Sequence, residues 1–363
     1  MRTFTRIILL VINLFFVFGI ILIVAAVNIS PVHFWYLAMI GFSFPIVMIA
    51  HLFFAIFWLF CRHKVYSIIS ILCLLIGLYI GGLPYEYHKK TNEKGIKLVS
   101  YNVKNFDLYN WHGNFKRRDS IISYLTDIQP DIICFQEYYN DKQNTYNTND
   151  SLKRILHLPY VHYESLVKVK NLFDFGMATL SKYPIIKQKK LFDIKRSTNN
   201  VMVTDIVKGK DTIRVFNCHL ESIRLIKSNI ETIGKIQERK YSDQDSSALH
   251  EIGRKLKKAL YLRAMQADTL SMAIKNSPYP VIVCGDFNDI SLSYTYHTIK
   301  RHNNLIDAFH NSGHGMGGTY IGKLPSFRID YILHSDKIRS WDFVTGKRIL
   351  SDHYPIYCEF GIK

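Results

Sequence analysis

Apolar residues dominate the first part of the chain in three long runs. The runs cover residues 7–27, 34–60 and 65–83, and residues 1–83 contain no Asp or Glu. An uncharged apolar run of about 20 residues has the length of a membrane-spanning helix. A cleaved signal peptide would account for only the first run. The pattern therefore predicts three transmembrane helices.

Short apolar runs and amphipathic segments alternate in the rest of the chain. The polar segment 84–95 is interpreted as a linker, and residues 96–363 as one α/β domain. Apolar strands are expected at 96–103 and 131–136, and helical spacing of Ile and Leu predicts a helix at 118–129 between them. This order is typical of a βαβ-like unit, whose ligands collect at the C-terminal ends of the strands.

One further run, residues 280–289, joins five unbroken apolar residues to Gly-Asp-Phe-Asn. It predicts a fully buried strand that ends near Gly285. Residues two apart in an extended segment point to the same side, so Asp286 and Asn288 are expected to face one pocket. A β-turn is the alternative interpretation, because Gly, Asp and Asn are also common turn residues.

Basic residues outnumber acidic ones and are unevenly placed. The chain has 46 Lys and Arg against 29 Asp and Glu, a net charge of +17, and every acidic residue follows position 83. This charge favours an anionic partner, which includes nucleic acid, phosphorylated lipid and the membrane surface. A basic soluble domain with no such partner is the alternative. The six cysteines form no CxxC motif and predict no disulfide framework.

Lys and Arg in the short loops predict the orientation in the membrane. Arg2 and Arg6 precede the first apolar run, Arg62 and Lys64 lie between the second and third, and the first loop has neither residue type. This arrangement predicts a multi-pass protein of the inner or plasma membrane in which the domain after residue 83 is extracytoplasmic. The lysines that follow the third run favour the opposite orientation.

Polar side chains fall at the ends or in the interior of successive predicted strands. They are Asn102, Glu137, His219, Asp286, Asn288, Asp330, Asp352 and His353. Oxygen donors such as Glu137, Asp352 and the Asn102 amide suit Mg²⁺ or Mn²⁺, and no cluster of Cys or His indicates zinc. A carboxylate buried at Asp330 needs a partner, and it could hold His353 in one tautomer. Taken singly, each position is also compatible with an ordinary loop or turn.

Seven motifs that contain these residues resemble, in the same order, those of the endonuclease/exonuclease/phosphatase (DNase I-like) superfamily. This superfamily includes pancreatic-type deoxyribonucleases, exonuclease III-type repair nucleases, neutral sphingomyelinases and inositol-polyphosphate 5-phosphatases. The motifs are Ser100-Tyr101-Asn102-Val103, Phe135-Gln136-Glu137, Gly176-Met177-Ala178-Thr179-Leu180-Ser181-Lys182-Tyr183-Pro184, Asn217-Cys218-His219-Leu220, Gly285-Asp286-Phe287-Asn288, Arg328-Ile329-Asp330-Tyr331 and Ser351-Asp352-His353-Tyr354-Pro355.

The resemblance implies a four-layer α/β sandwich of two mixed β-sheets flanked by helices, preceded here by the three spans. It also implies Mg²⁺-dependent hydrolysis of phosphate esters. Glu137 would hold the metal, with Asn102 and Asp352 close to it, and Asp286 would orient or deprotonate the attacking water.

The resemblance assigns the remaining residues to the phosphoryl group. Asn288 and His219 would bind its oxygens as charge builds, and His353, paired with Asp330, would stabilise or protonate the pentacovalent centre. Displacement at phosphorus depends on charge neutralisation and a positioned water, which agrees with this set of side chains.

Two features depart from the superfamily pattern and leave the substrate open. Lys104-Asn105 follows Asn102-Val103 where the nucleases commonly have another sequence. An insertion at 221–258 carries isoleucines at helical spacing (Ile226, Ile230, Ile233) and a basic run (Arg254, Lys255, Lys257, Lys258). It is interpreted as a solvated helical hairpin or as a basic flap, either over the active site or against the lipid surface.

Nucleic acid is favoured as the substrate, because phosphate contacts supply most nonspecific affinity for a basic protein. The alternative enzyme is a phospholipid, sphingomyelin or inositol-phosphate hydrolase held near lipid head groups by the spans. A catalytically inactive binding scaffold is a remote alternative, since Glu137, Asp286, Asn288 and His353 are all present. A transporter is disfavoured because three spans with a single His offer a poor pathway.

Overall fold

The computed structural model describes residues 3–61, 63–91, 93–110, 116–141, 148–169, 173–192, 197–224, 229, 231, 232, 234, 246–322 and 327–363. The chain divides into two compact units. The helical unit comprises Met1–Pro84, Ser222–Ala267 and Ser291–Thr298. The sheet unit comprises Tyr85–Glu221, Asp268–Ile290 and Ile299–Lys363.

Apolar helices form the N-terminal part of the helical unit. They are α1 Thr3–Asn28, α2 Pro31–Phe34, a 3₁₀ helix Trp35–Ser43, α3 Phe44–Leu59 and α4 Val65–Gly81. Two stretches, Phe4–Asn28 and Pro31–Leu59, are long and apolar enough to cross a membrane, and Val65–Gly81 is a shorter apolar helix. The second run is thus less regular than expected: its first part is 3₁₀ helix, and α3 begins with Pro45 in its first turn. Proline suits that place because it has no N–H to donate.

Polar side chains in this helix bundle make contacts between helices. Ser70 donates a hydrogen bond from Oγ to Asn13 Oδ1 at 3.0 Å, and Ser67 donates to the Ala55 carbonyl at 2.8 Å. At one end of the bundle, Arg6 Nη1 lies 2.7 Å from His63 Nε2. These contacts link α1, α3 and α4 to one another.

The insertion at 221–258 is described in part. Its isoleucines at 226, 230 and 233 lie outside the described residues, so the predicted hairpin face stays a prediction. Its basic run lies on the long helix Ser246–Lys275. The six cysteines, all in the described part, are free thiols.

Further helices with defined ends follow in the described part of the chain. They are α5 Lys116–Ile128, α6 Thr148–Leu156, α7 Ser246–Lys275, α8 Tyr294–Arg301 and α9 Ala308–Ser312. Residues Lys104–Asn110 form a short 3₁₀ segment whose first part is left-handed.

Strands lie where the sequence analysis expected them, and additional strands lie at the sheet edges. The strands are β1 Glu86–Tyr87, β2 Ile96–Asn102, β3 Ile132–Asp141, β4 Tyr160–Val169, β5 Phe173–Ser181, β6 Ile185–Lys190, β7 Asn200–Lys208, β8 Asp211–His219, β9 Val281–Asp286, β10 Ile306–Asp307, β11 His314–Gly315, β12 Asp330–His334, β13 Ile338–Thr345 and β14 Ile356–Ile362.

Two six-stranded mixed sheets make up the sheet unit. The first has the order β13-β14-β2-β3-β5-β4, and the second has the order β10-β12-β9-β8-β7-β6. The pairs β2–β3 and β8–β9 are parallel, and the other pairs within the two sheets are antiparallel. A separate ribbon pairs β1 with β11.

Apolar faces of both sheets pack together to form the central core. Leu98 and Cys134 from the first sheet lie in one buried cluster with Val215, Ile282 and Cys284 from the second. A second cluster packs the other face of the first sheet, including Val99 and Phe135, against Ile121 and Leu125 of α5. This arrangement confirms the expected sandwich of two mixed sheets flanked by helices.

Buried amides connect the two sheets beside the site. Gln136 of β3 donates from Nε2 to Asn217 Oδ1 of β8 at 2.7 Å. Asn217 in turn donates from Nδ2 to the carbonyls of Phe135 and Ala178 at 3.2 and 3.0 Å. Buried amides are costly unless they are paired, so this network favours one relative register of the sheets at the strand ends.

Candidate active site

Strand register places three of the predicted residues side by side. Asp286 at the end of β9 pairs in register with His219 of β8 on one side and with Asp330 of β12 on the other. Gly285 precedes Asp286 with φ +132°, and a Cβ there would overlap the backbone carbonyl of Cys218. Glycine is therefore required for the close approach of β9 to β8 that brings the Asp286 and His219 side chains together.

The Asp286 carboxylate is the centre of the site. Its Oδ2 accepts a hydrogen bond from Asn102 Nδ2 at 3.0 Å and lies 3.8 Å from His219 Nε2 and 3.7 Å from His353 Nε2. Its Oδ1 accepts from the backbone N–H of Asn288 at 2.8 Å. Burial raises the pKa of Asp286 above its usual value, and the nearby His353 and His219 partly oppose this shift.

Glu137 reaches the same place from the first sheet. It has φ +47° and lies where the β3–β5 register shifts, between Phe135 and Tyr138. Such a bulge can turn a side chain out of the alternation of its strand. Glu137 Oε1 lies 3.2 Å from Asn102 Nδ2 and 3.6 Å from His219 Nε2, so both carboxylates contact the same amide.

His353 and Asp330 form the pair that the sequence suggested. His353 donates from Nδ1 to Asp330 Oδ2 at 2.9 Å, which leaves Nε2 facing Asp286. Burial alone would lower the pKa of His353, but the carboxylates of Asp330 and Asp286 outweigh burial and raise it to about 10. The imidazolium form is therefore favoured at neutral pH.

His219 is fixed by its backbone partner. Its Nδ1 lies 3.2 Å from the Thr198 carbonyl, which can only accept, so Nδ1 carries a proton. Nε2 then faces Glu137 and Asp286, with Asn199 Nδ2 at 3.4 Å. Asn199 is a neighbour that the sequence reasoning missed, since the chain before β7 offered no strand-end signal.

Asn288 lies beside the cluster with φ +52°. Its Nδ2 donates to the Leu220 carbonyl at 2.9 Å, and its backbone N–H bonds Asp286 as described above. Asn288 therefore connects the turn after β9 to the end of β8.

The Asp352 carboxylate contacts Lys104 and Ser351. Its Oδ2 lies 3.0 Å from Lys104 Nζ, and its Oδ1 accepts from Ser351 Oγ at 3.2 Å. Burial opposes the charge on Lys104, but Asp352, together with Asp107 and Glu137, raises the pKa of Lys104 above its usual value. Lys104 is a residue of the site that sequence reasoning noted only as a departure from the superfamily pattern.

A left-handed turn presents Lys104. Residues 104–107 have φ between 47° and 60° in succession, and Phe106 within the turn is fully buried against Phe135 and Tyr138. Left-handed backbone costs about 1–2 kcal/mol for each residue that is not glycine. Burial of Phe106 helps to offset this cost, and no local sequence signal indicated the conformation.

Tyr320 is a further neighbour that the sequence did not suggest. It forms an isolated β-bridge with His353, and the two rings meet edge to face with centroids 5.4 Å apart. Burial raises the pKa of Tyr320, and Asp352, Asp286 and Glu137 add to this shift, so the phenol remains neutral beside the acidic cluster.

The donor set fits a hard divalent cation. Glu137 and Asp286 present oxygen atoms to the same amide nitrogen, and the site contains no thiol. Among the described residues, the tightest group with metal-ligand geometry is Asp286, Asp330 and His353, whose donor atoms lie within 4.8 Å of one another. Two members of that group are already bonded to each other, and all three are buried. Glu137, whose side chain is 32% exposed, presents its carboxylate to Asn102 outside that group.

Comparison with protein families agrees with this fold. The endonuclease/exonuclease/phosphatase family matches residues 99–353, so the chain belongs to that family. Its members are phosphoesterase hydrolases that typically depend on a divalent metal, and this chain is accordingly a phosphoric ester hydrolase. A domain of unknown function (DUF8431) matches residues 6–81.

Solved structures share the fold at low sequence identity. An endonuclease/exonuclease/phosphatase family protein from Leptotrichia buccalis C-1013-b has a TM-score of 0.52 and 16% identity, with 74% of this chain and 100% of that chain covered. The human nocturnin catalytic domain with bound sulfate has a TM-score of 0.51 and 15% identity, with 77% and 97% covered. The search of curated proteins found no match.

Proposed function

We propose that this protein is a membrane-anchored, Mg²⁺-dependent phosphodiesterase of the nuclease type. The observation that carries the proposal is the convergence on Asp286 Oδ2 of Asn102, His219 and His353, with Glu137 bonded to the same Asn102 amide. These side chains come from five different strands or loops, and their convergence forms a site with both cationic and anionic groups.

Each residue is given a role by its contacts. Glu137, with Asn102 and Asp352, would hold the ion, which when bound neutralises charge on the phosphate and lowers the pKa of a water. Asp286 has a raised pKa and lies among donors, so it suits the orientation and deprotonation of the attacking water.

Positive and neutral donors complete the mechanism. His353 is kept charged by Asp330 and would stabilise or protonate the pentacovalent centre. His219 Nε2, together with the Asn288 amide group, would contact the phosphoryl oxygens. Such preorganised groups stabilise charge that develops only in the transition state.

Nucleic acid is the preferred substrate class in this proposal. The net charge of +17 favours a polyanion, and Lys104 adds a cation beside Asp352. A phospholipid, sphingomyelin or inositol phosphate is the second candidate, favoured by the apolar helices of residues 3–81.

Contacts within the helical unit support three membrane crossings. Arg6 contacts His63, so the start of α1 and the α3–α4 loop share one end of the bundle. Lys257 Nζ of α7 lies 5.9 Å from the ring centroid of Trp35, which follows α1. If the chain crossed the membrane only twice, the residues after α4 would lie on the opposite side from Trp35, and Lys257 could not contact it. By the loop charges, the Trp35 side is extracytoplasmic.

A cysteine appended after Lys363 tests this orientation. We expect a membrane-impermeant maleimide to label it in intact cells or spheroplasts. Labelling only after the membrane is permeabilised would contradict the extracytoplasmic placement.

A substrate panel tests the activity. The detergent-solubilised full chain is assayed on plasmid DNA, single-stranded RNA, sphingomyelin and inositol phosphates, with Mg²⁺ or with EDTA. We expect Mg²⁺-dependent cleavage of a nucleic acid, and cleavage only of lipid or inositol phosphate would favour the second candidate.

Two matched variants distinguish the assigned site from a contaminant. Asp286→Asn is expected to lose about 10³-fold in kcat with an unchanged circular dichroism spectrum. Asp336→Asn, an exposed carboxylate on the β12–β13 turn, should retain full activity. Equal activity of the two variants would show that Asp286 is not catalytic.

A further inference from the structure

Helix α7 has an exposed face in the part that belongs to the helical unit. Arg254, Lys257, Lys258, Tyr261 and Met265 are exposed and recur at three- and four-residue intervals, so they lie on one side of the helix. We call these five residues the outer face of α7. Ala259, Leu260, Arg263, Ala264 and Gln266 are buried on the other sides.

The outer face combines cations with large, partly apolar side chains. Tyr261 is 41% exposed and Met265 is 48% exposed, one or two turns after three basic residues. Lys255, the fourth residue of the basic run, is instead bonded to Glu251 and Asn229 at 2.8 and 2.7 Å. Basic residues attract anionic lipid head groups, and the partly apolar Tyr and Met side chains beside them suit the boundary between head groups and acyl chains.

A contact inside the helical unit indicates where the outer face of α7 lies relative to the membrane. Lys257 Nζ lies 5.9 Å from the ring centroid of Trp35. Trp35 opens the 3₁₀ helix, between α1 and α3, at the end of a stretch long enough to cross a membrane. Tryptophan at such a position is typical of the head-group region, and Lys257 would therefore lie within reach of lipid phosphates.

We propose that the outer face of α7 binds the surface of an anionic lipid bilayer. The three cations attract the head groups, while Tyr261 and Met265 enter the boundary between head groups and acyl chains. The inference depends on the membrane insertion under "Proposed function", but it does not depend on catalysis or on the substrate class.

The contact with Trp35 favours lipid over nucleic acid as the occupant. Lipid and nucleic acid would both attract Arg254, Lys257 and Lys258. A cation beside an interfacial tryptophan, however, lies close to lipid phosphates. Exposed Met265 also gains from an apolar partner, which a nucleic acid backbone does not supply. The attraction should weaken as salt screens the cations.

Fluorescence quenching in the reconstituted full chain tests the proposal. Met265→Cys is combined with Cys61→Ser, because the other five cysteines are buried, and is labelled with bimane. A second protein labelled at Lys189→Cys, an exposed site on β6, is the control. Liposomes contain brominated lipid, either with phosphatidylglycerol or with phosphatidylcholine alone.

We expect bimane at 265 to be quenched strongly in the phosphatidylglycerol liposomes, less in phosphatidylcholine, and less again at high salt. Bimane at 189 should show no such dependence. The triple variant Arg254→Gln, Lys257→Gln, Lys258→Gln should lose the difference between the two lipids at position 265. Lys187→Gln, Lys189→Gln, Lys337→Gln removes three exposed lysines elsewhere and should keep it.

Other outcomes would overturn the proposal. An equal difference in quenching between the two lipids in both triple variants would show that Arg254, Lys257 and Lys258 do not bind the bilayer. A bimane response at 265 to a DNA oligonucleotide, without lipid quenching, would assign the face to nucleic acid instead. Resistance to carbonate extraction checks separately that the chain is inserted in the membrane, and the substrate panel checks its phosphodiesterase activity. A chain that does not insert, or that has no activity, is therefore distinguished from one whose outer face of α7 does not bind lipid.

Discussion

His353 donates from Nδ1 to Asp330 Oδ2 at 2.9 Å, and its other ring nitrogen faces Asp286 at 3.7 Å. One carboxylate thus orients the ring, and a second lies where the reaction is proposed to occur. Replacement of Asp330 separates these two effects, because it leaves both His353 and Asp286 in the chain.

We expect Asp330→Asn to lower kcat about 10- to 100-fold while KM changes little. Loss of the negative charge of Asp330 should lower the pKa of His353, which is about 10 in the intact pair. The alkaline limb of the pH–rate profile should therefore move to lower pH. The measurement is kcat against pH for both proteins. An unshifted alkaline limb would mean that another group controls it.

Lys104 places a cation 3.0 Å from Asp352 and close enough to Glu137 to interact electrostatically. A neighbouring positive charge repels a divalent ion, so we expect Lys104→Met to lower the Mg²⁺ concentration for half-maximal activity severalfold. A Mg²⁺ titration of initial rate measures this. Lys182→Met, which removes a lysine paired with Asp131 away from the site, should leave the midpoint unchanged.

Gly285 makes a close backbone approach that an alanine cannot. Gly285→Ala should destabilise the protein by at least about 2 kcal/mol, because its Cβ would overlap the Cys218 carbonyl and φ is +132°. Gly209→Ala is the matched control: it has φ +65° but no atom within 4 Å of its Cβ, so about 1 kcal/mol is expected. Urea unfolding of the two variants compares them, and an equal loss would refute the role of the contact.

Buried His334 makes stability depend on pH. Its Nδ1 donates to the Ser335 carbonyl at 2.9 Å and its Nε2 accepts from Ser340 at 2.8 Å, so both nitrogens are paired in the neutral ring. Burial lowers its pKa, although nearby acceptors partly oppose this. The unfolded chain then binds more protons below about pH 6.5, and stability should fall as pH falls.

Thermal unfolding of wild type and His334→Gln between pH 7.5 and 5.5 checks this direction. The melting temperature of the wild type should fall more over that range than that of the variant. His162, whose pKa burial also lowers, provides a remaining dependence in the variant. Parallel curves for the two proteins would exclude His334 as a contributor.

The sequence by itself determined the apolar helices of residues 3–81, the succession of the central strands along the chain and the polar residues at their ends. These features follow from local side-chain periodicity, which is the same in an isolated segment as in the folded chain. The motifs around Asn102, Glu137 and Asp286 also indicate the family without any geometry.

Only the tertiary structure decided which atoms meet. Lys104 approaches Asp352 through four left-handed residues that the core stabilises by burying Phe106, and a bulge in β3 accompanies the approach of Glu137 to Asn102. The contact of Lys257 with Trp35 joins residues more than two hundred positions apart. Such contacts depend on the packing of distant segments, whose free energies no local pattern contains. They set the geometry of the site and the surroundings of the α7 face that is proposed to bind lipid.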